Sequence, residues 1–440
     1  MNRIGIRRED KSKWERRVPL VPADLAEIRR SGGDIVVQTS QRRIFEDDDF
    51  RAAGVPVVES LDECDLIMGV KEVPEDLIQP ETAYLFFSHT IKGQAHNMSM
   101  LRRLMDLGCT LIDYERITDE QGTRLVAFGR HAGLAGAVDS LWALGETWRR
   151  RGHPTPLAEL NPAHRYDSLE AIRSVLREIG MRCRADEGFR QRAPVVVGVT
   201  GSGRVSRGVH EILDVLEPID VEPEAIRSIK TNPGRFIRIR FEERHFAERL
   251  DGLAFDLQDY YANPDRYRGI FETRYVSSLS ALINCIYWEA RYPRLVTKSG
   301  IRAAFGRQET PRLTVIGDIS CDIEGSIEAT VKATDPAHPT FLWDAQREVA
   351  SDGFVGAGPV IMAVDILPTE LPRESSEAFS QALRPLMPSL LEHRFRDGVH
   401  GLHPALRRGV IVDRGQLCPE FEHLRSFLPS SRPGRKFDGR

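Results

Sequence analysis

The segment 194–213, PVVVGVTGSGRVSRGVHEIL, constrains the fold of this chain more than any other. Its valine-rich start predicts a strand buried on both faces, which is typical of a parallel sheet. The strand leads directly into Gly201, Ser202 and Gly203, and then into a helical pattern. A strand, a glycine turn and a helix in this order are typical of a dinucleotide site, because the glycines let backbone N–H groups approach a pyrophosphate at the positive end of the helix.

The match to the dinucleotide pattern GxGxxG is incomplete, because Ser206 occupies the third glycine position. A small residue there still permits close packing of the helix on the strand. The alternative for this segment is an ordinary turn between a strand and a helix. The strand before the turn and the helix after it favour a nucleotide site.

Length and composition exclude several classes of protein. The chain has 440 residues, which predicts two or three domains. A formal net charge of -4 favours neither a nucleic-acid nor a membrane-surface partner, and no apolar run approaches the ~20 residues of a membrane span. The N-terminus lacks the apolar core of a signal peptide. Six scattered cysteines without a CxxC pair fit free thiols, so we expect a cytoplasmic protein with no metal site.

Predicted strands and helices alternate along the chain. This order predicts the α/β class, with two Rossmann-like, doubly wound parallel-sheet domains and a cleft between them. The predicted segments are an N-terminal substrate and catalytic α/β domain (1–135), a connecting helix and linker (136–193), a Rossmann dinucleotide-binding domain (194–365), a C-terminal segment that packs back on the first domain (366–430), and a disordered tail (431–440).

Titratable side chains follow two apolar runs of the first domain. Lys71 and Glu72 come directly after residues 66–70, and His89 comes shortly after residues 84–87. Ligands of parallel sheets bind beyond the carboxyl ends of the strands, so these side chains are candidates for acid–base chemistry. A plain ion pair explains Lys71 and Glu72 equally well, and a single histidine is more often structural.

Arginines and further carboxylates complete the candidate set. Arg17 lies between a strand and a helix, and Glu115 and Arg124 flank a predicted hairpin turn. A guanidinium can hold a carboxylate bidentately, although a solvated charge is the usual role of a lone arginine. Asp318 follows a strand of the second domain, where it would meet the nicotinamide or an amine, or instead cap a helix. Together these groups suit hydride transfer to or from a substrate that carries carboxylates.

Several longer motifs resemble a known family. GIRRED, WERRVPLVP, GVKEVP and FFSHTIKGQ are similar to the N-terminal domain shared by alanine dehydrogenase, the transhydrogenase α subunit and the lysine-forming saccharopine dehydrogenases. TGSGRVSRG, INCIYWEARYPRLVT, GDISCDIEGSIEAT and DILPTELPRESSEAF most closely resemble the lysine–ketoglutarate reductase module. The resemblance extends over residues 1–395. In animals and plants that module is fused to a saccharopine-cleaving domain, so a separate saccharopine-cleaving dehydrogenase is an expected partner here.

The resemblance implies NADPH-dependent reductive condensation of L-lysine with 2-oxoglutarate to saccharopine, and the reverse reaction. Lys71 and His89 correspond to the acid–base pair of the family. The positions that correspond to its substrate-binding residues are Arg17, Glu72, Glu115 and Arg124. The positions that correspond to its cofactor-binding residues are Gly201, Ser202, Gly203, Arg204, Val205 and Asp318.

The identities of the coenzyme and the substrates have alternatives. An acidic residue that binds the ribose 2′-OH of NAD is expected about 20 residues beyond the glycines, and Asp220 and Glu222 fall there without a clear strand. The resemblance implies NADP, and NAD is the alternative. The alternative functions are a related opine-type or amino-acid dehydrogenase with a different amine or 2-oxo acid, and a catalytically inactive NADP-binding sensor. An oligomer is compatible with each of these functions.

Overall fold

The structure, a computed structural model, describes residues 1–307 and 311–429, and the tail expected to be disordered, 431–440, lies outside the described residues. The chain forms two compact units, of which the first consists of two separate stretches. The stretch 136–193, predicted as a connector, belongs to the second unit because its apolar side chains lie in the core of that unit. The units are Met1–Ala127 with Pro372–Arg440, and Phe128–Leu371.

Strands occur in both units. They are β1 (Arg3–Ile6), β2 (Asp34–Gln38), β3 (Val57–Val58), β4 (Leu66–Met68), β5 (Ala83–Phe86), β6 (Thr110–Asp113), β7 (Val196–Thr200), β8 (Ile219–Asp220), β9 (Ile237–Phe241), β10 (Ala247–Arg249), β11 (Tyr267–Gly269), β12 (Ala281–Asn284), β13 (Val315–Asp318), β14 (Thr340–Asp344), β15 (Val349–Ser351), β16 (Val360–Met362), β17 (Val410–Asp413) and β18 (Gln416–Leu417).

Helices connect most of the parallel strands. They are α1 (Pro22–Arg30), α2 (Asp47–Ala52), α3 (Met98–Asp106), α4 (Gly129–Arg150), α5 (Leu169–Ala185), α6 (Glu187–Arg190), α7 (Arg204–Val215), α8 (Glu243–Phe246), α9 (Leu257–Ala262), α10 (Phe271–Arg274), α11 (Lys298–Arg307), α12 (Pro372–Leu383), α13 (Met387–Glu392) and α14 (Pro404–Arg408). Within the described ranges, no helix combines the length and apolar character that crossing a membrane requires.

The first unit is built around an eight-stranded sheet in the order β18-β17-β6-β5-β4-β1-β2-β3. Strands β1 to β6 pair in parallel, whereas β17 and β18 add an antiparallel edge. Strands β4, β5 and β6 are buried along their whole length, as expected of parallel strands covered on both faces. Their carboxyl ends therefore lie side by side at one end of the sheet.

The second unit contains a further eight-stranded sheet in the order β15-β14-β16-β13-β12-β7-β9-β8, in which only β14 and β15 are antiparallel to their neighbours. Strand β7, which leads into the glycine turn, lies between β12 and β9. The short strand β8 lies beyond β9 at the edge of the sheet, although β8 precedes β9 in the sequence. Two mostly parallel sheets with helices confirm the predicted α/β class.

Helices α4 and α7 approach each other closely inside the second unit. A Cβ atom at Gly133 would lie 1.9 Å from the carbonyl oxygen of Val205, and one at Gly208 would lie 2.1 Å from that of Arg130. Only glycine leaves room for such an approach. These two glycines therefore set the position of α7, the helix that follows the glycine turn.

Candidate active site

Three neighbouring strand ends of the first sheet carry titratable residues from the sequence analysis. Lys71 and Glu72 follow β4, His89 follows β5, and Glu115 follows β6. Because β4, β5 and β6 are adjacent and parallel, their carboxyl ends gather these residues at one end of the sheet. The structure brings Glu72 and His89 into direct contact and places Glu115 beyond the adjacent strand.

The carboxylate of Glu72 is the centre of this group. Its Oε2 accepts a hydrogen bond from Nζ of Lys11 at 2.7 Å, and its Oε1 lies 2.7 Å from Nδ1 of His89. Nδ2 of Asn97 donates to the same Oε1 at 3.2 Å. Burial opposes the ionisation of Glu72, but the hydrogen bonds from His89 and Lys11 lower its pKa well below the usual range. Glu72 is therefore a carboxylate at neutral pH. We call Lys11, Glu72, His89 and Asn97 the Glu72 cluster.

The ionised carboxylate assigns the tautomer of His89. Since Glu72 only accepts hydrogen bonds, Nδ1 of His89 carries the proton of this contact, and Nε2 of the neutral ring is the acceptor. The His89 side chain is 33% exposed. A ring that is anchored at one nitrogen and accessible to solvent is suited to exchange a proton with a bound substrate.

The backbone at His89 is strained and is held by buried side chains. Its φ angle is +48°, in a left-handed region that costs a non-glycine residue about 1–2 kcal/mol. Nδ2 of Asn97 donates to the carbonyl oxygens of Ser88 and His89, at 3.0 and 3.3 Å. Oδ2 of Asp113 accepts the backbone N–H of Ser88 at 3.1 Å, and burial raises the pKa of Asp113 to about 6. These contacts hold the loop that presents the His89 ring to Glu72.

Lys71 lies in surroundings that favour its neutral amine. Burial lowers its pKa, and the charge of Arg17 lowers it further, while Glu15 and Glu72 oppose these effects without cancelling them. The carboxylate of Glu9 accepts the backbone N–H groups of Lys71 and of the preceding residue, at 3.1 and 2.6 Å, and so fixes the chain beyond β4. A lysine with a lowered pKa can serve as a general base nearer to neutral pH than an exposed one.

The two arginines expected to bind substrate differ in their surroundings. Arg17 is buried, and its guanidinium is paired bidentately with Glu15 through Nε–Oε1 and Nη2–Oε2 distances of 2.7 and 2.6 Å. The Arg124 side chain is 49% exposed, and its Nη1 lies 3.5 Å from Oε1 of Glu115. Arg124 is therefore accessible to a carboxylate from solvent, whereas Arg17 acts on Lys71 through its charge.

The second unit has a cavity of about 620 Å³ at the glycine turn. Gly201 has a φ of +86°, and a Cβ atom there would lie 3.3 Å from the carbonyl oxygen of Cys285. Helix α7 begins directly after the turn, so its N-terminal backbone N–H groups and its dipole suit a pyrophosphate. The cavity therefore fits a dinucleotide. All five residues expected at the turn line it: Gly201, Ser202, Gly203, Arg204 and Val205.

Aromatic side chains form much of the remaining wall of this cavity. They are Phe246, Tyr260, Tyr261, Tyr287, Trp288 and Tyr292. The last three belong to the motif INCIYWEARYPRLVT, so the sequence carried a signal for them that reasoning from strand ends did not use. Flat aromatic faces beside a glycine turn are suited to hold the ring systems of a dinucleotide.

Asp318, expected near the nicotinamide, lies at the end of β13 and is 1% exposed. Its carboxylate accepts hydrogen bonds from Asn284, Ser320 and Thr330 at 2.9, 2.7 and 2.6 Å. Burial raises its pKa. Ile319 and Ser320 line the cavity, whereas Asp318 lies behind them. Its observed contacts therefore order the loop that forms one wall of the cavity.

Glu243 is an acidic residue of the cavity that sequence spacing missed. It lies two residues beyond β9, the strand next to β7, as the first residue of α8, and it lines the cavity. Asp220, which lies at the usual spacing, is instead paired with Arg238 through Nε–Oδ1 and Nη2–Oδ2 distances of 2.6 and 2.8 Å. Glu222 is exposed. The strand β8 and the turn after it lengthen the connection, so only the pairing of strands identifies Glu243.

Comparison with known proteins gives consistent matches. The family model of the alanine dehydrogenase/PNT N-terminal domain matches residues 5–135. A mitochondrial α-aminoadipic semialdehyde synthase of Mus musculus is 33% identical over 97% of this chain and 48% of that protein. A saccharopine dehydrogenase (NAD+, L-lysine-forming) of Emericella nidulans is 29% identical over 90% of this chain and 93% of that protein. A solved structure of L-alanine dehydrogenase shares the fold, with a TM-score of 0.62, 18% identity, and coverage of 97% of this chain and 100% of that chain.

These matches differ in how much of each relative they cover. The chain spans about half the length of the semialdehyde synthases that it matches, and nearly the whole length of the fungal saccharopine dehydrogenase.

Proposed function

We propose that the chain is a lysine-forming saccharopine dehydrogenase whose first domain resembles the N-terminal domain of alanine dehydrogenase, and that it condenses L-lysine with 2-oxoglutarate and reduces the product to saccharopine. In the proposed reaction, the lysine ε-ammonium, the ketone, a reduced nicotinamide coenzyme and one proton give a secondary ammonium, water and the oxidised coenzyme. The reverse reaction releases L-lysine. The expectation that the coenzyme is NADPH comes from the family resemblance.

The contact of Glu72 with His89, beside the partly buried Lys71, carries this proposal. Condensation and reduction require a neutral amine, the loss of water and the return of a proton, so at least two groups must exchange protons with the substrate. A histidine anchored to a carboxylate and a lysine with a lowered pKa match these requirements. Their position beyond adjacent parallel strands is where α/β sheets bind ligands.

Lys71 accepts the first proton in this scheme. The ε-ammonium of free lysine has a pKa of about 10.4, so the attacking amine is scarce near neutral pH. Because burial and Arg17 lower the pKa of Lys71, its own amine is neutral more often and can take the proton from the substrate. The substrate amine then forms the C–N bond to the ketone carbon, and the carbonyl electron pair moves to oxygen. A proton passes from the nitrogen to that oxygen to give a neutral carbinolamine.

His89 serves the loss of water. Its Nε2 takes up the one proton that the overall reaction consumes and gives it to the carbinolamine oxygen, which leaves as water while the nitrogen lone pair forms the C=N bond. Glu72 keeps the ring oriented through Nδ1. Lys11 and Asn97 in turn hold both oxygens of Glu72, so the carboxylate does not rotate away from the ring.

Arg124 and Glu115 bind the substrate charges. The half-exposed guanidinium of Arg124 pairs with a substrate carboxylate and moves from its 3.5 Å contact with Glu115. The carboxylate of Glu115 is then available to a substrate ammonium. This exchange of partners leaves no charge of the pair unmatched when the substrate binds.

The cavity of the second unit binds the coenzyme. When bound, the reduced coenzyme supplies the hydride that reduces the C=N carbon. The chain's contribution is to hold the pyrophosphate at Gly201, Gly203 and the N-terminus of α7, and to hold the rings against the aromatic wall.

The proposal is tested by coenzyme oxidation with the purified protein, L-lysine and 2-oxoglutarate, against mixtures that lack each substrate. We expect a decrease in absorbance of the reduced coenzyme that needs both substrates, with saccharopine as the product by mass spectrometry. If the coenzyme binds but is not oxidised with this pair, a panel of amines and 2-oxo acids tests the related opine-type or amino-acid dehydrogenases. No turnover with any pair would leave the inactive sensor as the conclusion.

A further inference from the structure

The order of strands around the glycine turn locates the place where a ribose is bound. In dinucleotide-binding folds, an acidic residue at the end of the strand beside the glycine-turn strand hydrogen-bonds the 2′-OH of NAD, whereas a nearby arginine accommodates the 2′-phosphate of NADP. Strand β9 occupies that place here, because it pairs in parallel with β7 over five residue pairs, from Val196 with Ile237 to Thr200 with Phe241. The residue to examine is therefore the first one after β9 that lines the cavity.

Glu243 is that residue. It lies 40 positions after Gly203 in the chain, about twice the usual spacing, yet both line the same cavity. The hydroxyl of Tyr261 donates to Oε1 of Glu243 at 3.0 Å, and Tyr261 also lines the cavity. The carboxylate is thus oriented by an aromatic residue of the cavity wall and retains its second oxygen as an acceptor.

We propose that Glu243, positioned by Tyr261, binds the adenosine ribose diol and makes the protein select NAD(H) over NADP(H). This inference rests on the proposed function only for the presence of a nicotinamide dinucleotide as hydride carrier. It replaces the NADPH expected from the family resemblance with NADH, because none of the motifs that carry the resemblance includes Glu243.

The charges around the cavity favour the same choice. The charged residues that line it, within the described ranges, are Arg204, Glu243 and Asp322. Arg204 begins α7 at the glycine turn, where a pyrophosphate places its own negative charge. Two nearby arginines already have acidic partners: Arg244 lies 3.5 Å from Glu242, and Arg240 lies 3.5 Å from Asp220. A 2′-phosphate beside Glu243 would add further negative charge without a new cation to balance it.

The test compares dissociation constants of NADH and NADPH by calorimetry without substrate, and kcat/KM for each coenzyme with L-lysine and 2-oxoglutarate. For the wild type we expect NADH to be preferred at least about 10-fold in both measurements. In Glu243→Gln the preference for NADH should shrink by about 10- to 100-fold. The variant loses the charged acceptor for the ribose hydroxyls of NADH, and it loses the repulsion between the carboxylate and the 2′-phosphate of NADPH. Glu243→Arg should reverse it.

Two further variants separate the ribose contact from general effects on folding. Glu222→Gln alters an exposed carboxylate at the usual sequence spacing and should leave the coenzyme preference unchanged within about twofold. Tyr261→Phe removes the hydroxyl that orients Glu243 and should weaken NADH binding about 3- to 10-fold with little change for NADPH.

The outcomes distinguish this inference from the proposed function. Tighter binding of NADPH by the wild type, or an unchanged preference in a folded Glu243→Gln variant, overturns the role of Glu243. If both Glu243 variants fail to fold, the wild-type ratio of dissociation constants still decides the coenzyme. If no substrate pair is turned over but NADH binds more tightly than NADPH in the expected ratio, the proposed reaction fails and the coenzyme assignment stands.

Discussion

The Glu72 cluster of the first unit and the glycine turn of the second both lie at the ends of parallel strands, but different parts of the chain form them. The Glu72 cluster consists of side chains that hold one another through hydrogen bonds. The glycine turn consists of backbone, and Gly201 contributes by lacking a side chain. The activity of a site made of titratable side chains depends on their protonation states. The binding of a ligand to a backbone turn depends instead on the absence of side chains that would occupy its space. We therefore expect the two to fail in different ways when single residues are changed.

The largest effect is expected for Lys71→Met. Removal of the base should lower kcat by about 10²- to 10⁴-fold and leave the dissociation constant of the reduced coenzyme within about twofold. As the pH falls through the lowered pKa of Lys71, its amine becomes protonated and the wild-type rate decreases. The variant should lose this acidic limb of the pH–rate profile. The measurement is kcat as a function of pH together with coenzyme binding.

Lys13→Met is the matched control for Lys71→Met. Lys13 is an exposed lysine of the same unit, so its substitution should leave both kcat and the pH profile of the enzyme unchanged. If Lys71→Met retained the wild-type rate or the wild-type acidic limb, Lys71 would not be the base.

A smaller effect, on coenzyme affinity and not on the pH–rate profile, is expected for Gly201→Ala. A Cβ atom at this position lies 3.3 Å from the carbonyl oxygen of Cys285, and the φ of +86° is unfavourable for alanine. Coenzyme affinity should decrease about 10-fold, because the turn must move where the pyrophosphate binds. The acidic limb that belongs to Lys71 should remain. Calorimetry and the pH–rate profile provide the two readouts.

Gly252→Ala separates backbone strain from the loss of the site. Gly252 lies in the same unit with a φ of +77°, and a Cβ atom there has no neighbour within 4 Å. This control should lower thermal stability without lowering coenzyme affinity. Equal losses of affinity in both variants would show that Gly201 acts through general stability alone.

An effect of similar size, on kcat instead of coenzyme affinity, is expected for Asn97→Ala in the Glu72 cluster. Asn97 positions Glu72 and the strained backbone of His89 but does not take part in proton transfer in our scheme. We expect kcat to decrease about 10-fold and the pH–rate profile to shift, while coenzyme binding stays unchanged. Asn97→Asp should lower kcat further, because it replaces the donor group Nδ2 with a carboxylate oxygen that faces three hydrogen-bond acceptors. A loss of stability with unchanged kcat and pH profile would assign Asn97 a purely structural role.

The comparison also explains which features could be predicted from the sequence. The strand and helix around the glycine turn are local patterns, and β7 and α7 lie where those patterns predict them. Lys71, Glu72 and His89 were singled out because polar residues follow apolar runs, and the adjacency of β4 and β5 explains why Glu72 and His89 meet. Their catalytic roles stay predictions.

The features that sequence reasoning missed depend on contacts over long distances along the chain. Glu243 enters the coenzyme cavity because β9, and not β8, pairs with β7. Asn97 is a polar residue at a helix start whose role appears only when the loop of His89 folds over it. Arg17 differs from these two residues, because its observed partner Glu15 lies two positions away, and its contact with a substrate carboxylate stays a prediction.

The central claim is that this chain reduces an imine formed from L-lysine and 2-oxoglutarate. The most direct measurement is mass spectrometry of the product formed with 4,4-dideuterated NADH and the two unlabelled substrates. The account predicts saccharopine that carries one deuterium at the carbon of the former ketone, formed only when both substrates are present. Unlabelled saccharopine, or no saccharopine while the coenzyme binds and the protein is folded, would contradict it.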